Sequence, residues 1–182
     1  MNLTKQTIVS TAMGLLDSYG LADVSMRRIA SVLKVQPSAL YWHVESKQDL
    51  LSAMAHTMME GLPSFPGGDL TRIPAWAARF HGLLTRYRNG GELLWSVLSL
   101  QDWDTSLGGQ IQAGLLQAGI DESKTLGATR GLLHLILGHS FDDDQRNEAV
   151  RLGVVSTTWT QTTTTLDDAI EIFLAGLETL RC

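Results

Sequence analysis

The chain has one cysteine, Cys182, at its last position. A single thiol can form no bridge within the chain, so a disulfide-stapled scaffold is excluded and a reducing, cytoplasmic setting is expected. Long hydrophobic runs are missing too. The greasiest stretch, "GLLHLILGHSF", is short and broken by two histidines, and no basic-plus-apolar leader pattern opens the sequence. No membrane partner is expected. Alternating strand patterns and internal repeats are absent. So are nucleophile motifs and glycine loops that could cradle a phosphate. His134 and His139 stand five positions apart, about 500° around a helix, whereas a helical metal pair wants a separation of four. An all-α metal-dependent enzyme using His134, His139 and Asp142 is therefore only the alternative reading. No catalytic residue, metal or cofactor is expected, and the Asp142–Asp143–Asp144 run reads as a solvated helix end.

What is present is helical periodicity. The 182 residues suffice for one to two domains with a sizeable core. Ile8, Ala12, Leu15, Leu16 and Tyr19 share a face, and Gly20 then stops a first helix over about 4–19. Met26, Ile29, Ala30 and Leu33 repeat at helical steps behind Ser25, a natural N-cap. Pro37 suits the first position of a third helix, where its missing N–H costs nothing. Ser46, with Asp49 three residues on, caps a fourth helix that buries Leu50, Leu51, Met54, Ala55 and Met58. Two prolines and three glycines in "GLPSFPGGDL", residues 61–70, then break the pattern. Further helices are expected over about 74–87, 92–100, 105–118, 122 to 141 or beyond, and 166–180. "STTWTQTTTT" reads as a polar loop. The organisation predicted is a head over 1–46, a connecting helix and linker over 47–66, and a larger helical body over 67–182.

The formal charge is −5, which argues against a general polycation, but it is unevenly spread. Up to Asp49 there are five Lys or Arg against four acids; the remainder has nine against fifteen. The excess of acid lies in the body, a weak pointer to a head that faces an anion.

The second and third helices are short and joined by "KVQ". That is a helix-turn-helix, whose second helix enters the DNA major groove with its N-terminal end toward base edges. Gln36, Pro37, Ser38 and Ala39 then form a hydrogen-bonding or methyl-contacting tip. Tyr41, Trp42 and His43 can reach phosphates or lie on sugars, and Lys47 can pair with a phosphate beside exposed helix N–H groups. Ser25, Arg27 and Arg28, where the second helix begins, complete the DNA-facing set. Leu40 and Val44 face inward.

The stretch "ADVSMRRIASVLKVQPSALYWHVESKQDLL" resembles the DNA-binding domain of the TetR family of transcriptional regulators. The resemblance covers about residues 4–58. It rests on Leu40, Tyr41, His43 and Lys47, on Arg27, Ile29 and Ala30, and on Leu50–Leu51. It implies an all-α, TetR-like fold and a homodimer joined through its C-terminal helices. It further implies binding to a near-palindromic double-stranded operator and release by a small-molecule inducer. Arg27 matches a position that touches DNA, and Tyr41 and Lys47 match positions that touch phosphate. Lys34 departs from the family, which usually places glycine there for a positive φ. His134 matches a histidine that, in one family member, ligates the magnesium carried by its drug, while other drug contacts of that member are replaced here. A cavity lined by Trp76, Phe80, Trp95, Trp103, His134 and Phe141 suits a hydrophobic or aromatic ligand. A DNA-binding module without a ligand is the remaining alternative. On the last helix, Ile170, Phe173, Leu174 and Leu177 serve one face; Ala169, Ile172 and Gly176 form a second apolar face that needs a partner.

Overall fold

The protein is described from a computed structural model, which describes residues 3–100, 107–156 and 165–181. Among these residues it is all-helical, with nine α-helices and a single isolated bridge between Ile120 and Arg181. No described helix is long and apolar enough to cross a membrane.

The head is built from α1 (Lys5–Tyr19), α2 (Met26–Leu33), α3 (Pro37–Leu40) and the start of α4 (Lys47–Met58). Each begins where a side chain can satisfy an exposed N–H. Thr4 accepts from the Thr7 amide, Ser25 from Arg28 and Ser46 from Asp49. Ile8, Ala12, Leu16, Ile29, Leu40 and Val44 are sealed in the core of the head. Tyr19 does not share that face. It is half exposed, and the Arg28 guanidinium lies 4.0 Å from its ring centre. At the end of α2, Lys34 adopts the left-handed conformation that favours glycine (φ 56°, ψ 42°), and the Val35 amide closes the turn on the Ala30 carbonyl at 3.0 Å. The third helix is a single turn. Residues 41–43 continue as a tight turn in which the His43 amide reaches back to the Leu40 carbonyl at 2.9 Å.

The body comprises α5 (Ile73–Leu84), α6 (Gly90–Leu98), α7 (Leu107–Gln117), α8 (Glu122–Arg151) and α9 (Leu166–Glu178). α8 is about 45 Å long by its rise, and α5, α6, α7 and α9 all pack on it. It outruns the apolar pattern that ends near Phe141, because its polar end is held by ion pairs: Arg146 with Asp143 at 3.1 Å and Arg151 with Glu148 at 2.8 Å. α9 starts with a reciprocal capping box between Thr165 and Asp168. The linker at 61–70 is fastened to the body rather than loose. Phe65 is buried edge-on against Trp76, with ring centres 5.0 Å apart. α4 packs on both α1 and α6 and so belongs to head and body at once.

Candidate DNA-reading face and effector cavity

On the head, the predicted DNA-facing residues divide into free and engaged. Gln36, Pro37, Ser38, Tyr41, His43 and Lys47 are exposed, and Trp42 stands 87% exposed. Ala39 is half-buried between them. Leu40 and Val44 are fully buried directly behind, so the turn cannot rotate without exposing the core. Arg27 is exposed and has no ion-pair partner among the described residues. Arg28 is different: its guanidinium is ion-paired to Asp23 and stacked on Tyr19. Ser25 spends its hydroxyl oxygen as the cap of α2. Lys5 is likewise committed, to Asp49 at 2.8 Å, and that bond holds the Asp49 carboxyl below its ordinary range. The Asp49 carboxylate also accepts the Glu45 amide at 3.1 Å, which fixes α4 relative to the turn that precedes it.

In the body, three of the expected aromatic and histidine residues converge. Trp95 on α6 and His134 and Phe141 on α8 line a cavity of about 400 Å³ with Leu137, Gly91, Gly138 and Glu92. The Trp95 and His134 rings meet edge-on, with centres 5.1 Å apart. Trp76 and Phe80 lie elsewhere. They are 3% and 0% exposed and pack on each other inside the core, tilted with ring centres 5.2 Å apart, and the Trp76 indole N–H donates to the Pro63 carbonyl at 2.9 Å. Trp103 lies outside the described residues. His139 is turned onto its own helix, with Nδ1 2.8 Å from the Leu135 carbonyl oxygen. Among the described residues, no three His, Cys, Asp or Glu side chains are arranged to hold a metal ion.

A second cavity, of about 310 Å³, lies between α4 and α6. Ser52 and His56 of α4, with Met59 just past its end, face Leu94, Val97 and Leu98 of α6 across it. Sequence reading missed this space, since it exists only through the packing of α4 on α6. It also missed the link between body and head at Arg88 and Asn89. Arg88 reaches the Ser18 carbonyl at 3.5 Å and Glu148 on α8 at 2.8 Å, while Asn89 accepts the Leu21 amide at 3.2 Å. The Asn-Gly pair at 89–90, a strong signal for a left-handed turn, was the available clue.

The start of α6 is tightly seated. A methyl group at Gly90 would collide with the Leu84 carbonyl oxygen, and one at Gly91 with the Ser140 hydroxyl. The start of α6 is thus packed closely against the end of α5 at Gly90 and against α8 at Gly91.

Comparison with known proteins matches residues 8–54, from α1 into α4, to the model of bacterial regulatory proteins of the tetR family. The tetracycline repressor protein class C of Escherichia coli is 33% identical over 96 residues, covering 50% of this chain and 44% of that repressor. The match thus spans less than half of that relative's length. In three dimensions the chain superposes on Mycobacterium smegmatis BioQ with a TM-score of 0.85 at 25% identity, covering 98% of this chain and 99% of that one. BioQ with its natural double-stranded DNA operator gives a TM-score of 0.75 at 25% identity, covering 97% and 98%.

Proposed function

We propose that the chain is a member of the TetR family of bacterial regulatory proteins, whose model matches residues 8–54, and that it is a ligand-responsive transcriptional repressor, released from its operator by a small-molecule inducer. The head, residues 1–46, reads DNA; residues 47–66 connect; the body, residues 67–182, binds the inducer and a second copy. The reading assigns no catalytic role.

The observation that carries this is the division of side chains on the third helix and its turn. Leu40 and Val44 are sealed, while Gln36, Ser38, Tyr41, Trp42 and His43 stand outward beside Arg27 and Lys47, which have no ion-pair partner among the described residues. A one-turn helix presents only its tip, which suits end-on entry into the major groove. Tyr41 and Lys47 take phosphates; Gln36, Pro37, Ser38 and Ala39 take base edges. Arg28 acts by holding α2 to α1 through Asp23 and Tyr19.

The inducer site is the cavity of Trp95, His134 and Phe141. Its wall, α6, also packs on α4. A ligand that prefers one setting of α6 thereby biases the setting of α4 and of the head that α4 carries. The second copy docks on α8 and α9, where Ile172 is 69% exposed next to Gly176. Two such faces make an intersubunit four-helix bundle. BioQ, similar in fold over its whole length, is known with a double-stranded operator, which supports the same mode here.

Selection of bound duplexes from a random pool, followed by affinity measurements at increasing salt, tests the proposal. Near-palindromic half-sites about 34 Å apart and a steep fall of affinity with salt are expected. Binding to no duplex in preference to random DNA would reject it.

A further inference from the structure

We propose that the α6–α8 cavity selects a flat aromatic cation, a statement that rests on the assignment of this cavity as the inducer site. The walls set the shape. Trp95 and Phe141 are 44% and 48% exposed, which leaves two large aromatic surfaces facing open space. His134 meets the Trp95 ring edge-on, with ring centres 5.1 Å apart. Gly138 lies on the α8 wall, and a methyl group built there would meet nothing within 4 Å. The glycine therefore keeps a flat gap open where any side chain would project into it. A volume of about 400 Å³ accommodates a fused ring system of a few rings.

The charge sets the sign. Among the described residues, Glu92 is the one charged side chain lining the cavity, and no Lys or Arg lines it. The nearby cations are committed: Arg88 and Arg151 both pair with Glu148. Asp144, one helical turn beyond the cavity floor, has its carboxyl raised above the ordinary range. Burial is the first cause, and the negative charges of Asp143 and Glu92 add to it, against offsets from the Asn89 backbone N–H and from Arg151. The carboxylates of Asp143, Asp144 and Glu92 thus feel one another, and Arg151 offsets this only in part. Aromatic ring faces attract positive charge, and a carboxylate at the rim adds to that attraction. A neutral or anionic occupant would instead cover Glu92 and strip its water without replacing it.

The test compares N-methylacridinium with acridine at pH 7.5, two molecules of the same ring skeleton of which only the first is charged. Binding to the purified full chain is measured by calorimetry. The cation is expected to bind about ten-fold more tightly than the neutral ring. Glu92→Gln should reduce that preference to within about two-fold, and Gly138→Leu should abolish binding of both, with melting temperatures showing that both variants fold. Equal or tighter binding of acridine, or a preference that survives Glu92→Gln, overturns the proposal. So does a wild-type chain that binds neither probe but loses its dimer on Gly138→Leu, which would make the second copy the occupant. A parallel measurement of DNA release separates the two assignments. Charge-selective binding that leaves the DNA complex intact upholds the cation site and removes its role as inducer site. DNA release without charge preference does the reverse.

Discussion

The side-chain oxygen of Asn89 accepts the backbone N–H of Leu21 at 3.2 Å, joining two residues 68 positions apart in sequence. Asn89 holds φ at 56°, and its own amide donates to the Asp144 carboxylate. Leu21 follows Gly20, whose φ is 87° and where a methyl group would sit 2.6 Å from the Asn89 oxygen. The head is thus tied to the body by a two-sided hydrogen bond through one asparagine, seated against a glycine.

Removing that tie has a graded expectation. Asn89→Gly keeps the left-handed backbone and loses only the bond to Leu21, at a cost of about 1 kcal/mol. Asn89→Ala loses the bond and also puts in the left-handed region a residue without asparagine's tolerance of it, costing about 2 kcal/mol. Urea unfolding measures both. Equal stability of the two variants would show that backbone conformation contributes nothing here.

Arg27 and Arg28 are neighbours with different expected phenotypes. Arg27→Ala and Lys47→Ala should each weaken operator binding and flatten its salt dependence by about one unit of slope. Tyr41→Ala should weaken binding without unfolding. Arg28→Ala should lower stability instead, by about 1 kcal/mol at most, because both members of its ion pair are partly exposed and screened. Fluorescence anisotropy on a labelled operator and thermal unfolding separate the two effects. Unchanged DNA affinity in both Tyr41→Ala and Lys47→Ala would contradict the placement of the turn against DNA.

These cases mark what the sequence revealed. Helix starts were legible because capping is local: Ser25, Ser46 and Thr165 lie within three residues of the amides they satisfy. The buried pair Leu40 and Val44 was legible from spacing alone. Arg28 was not, since its partners come from the end of α1 and the turn after it, and charge type does not reveal pairing. Trp76 and Phe80 show the same limit for aromatics. The residue type that lines a cavity also fills a core, and only the arrival of Phe65 from the linker decided which. The full length of α8 was hidden because its last turns are held by charges rather than by an apolar stripe.

Asp144 gives a pH signature of definite sign. Its carboxyl is raised in the folded chain by burial and by Asp143 and Glu92. The folded state therefore binds the proton more tightly than the unfolded state, and this group's contribution to stability falls as pH rises from the unfolded value through the folded one. Above that window the ionised group opposes folding. Asp144→Asn keeps an acceptor for the Asn89 amide and removes the charge, so it should raise the melting temperature at pH 7.5. The gain should shrink toward zero in acid, where the parent carboxyl is protonated in both states. A gain that is the same at all pH values would mean that charge is not the cause.

Lys34 offers the last test, because it sets backbone strain against charge. In the left-handed conformation a lysine is disfavoured relative to glycine. Lys34→Gly should therefore stabilise the head by about 1 kcal/mol, read from urea unfolding. Yet Lys34 is exposed at the turn that leads into the reading tip, and among the described residues it has no ion-pair partner. If its charge contacts a phosphate, the more stable variant binds DNA more weakly and loses about one unit of salt slope. Alanine at the same position separates the terms, since it removes the charge but keeps the strain. A drop in affinity shared by Lys34→Ala and Lys34→Gly assigns the lysine to DNA, and a drop in Lys34→Gly alone assigns it to the geometry of the turn.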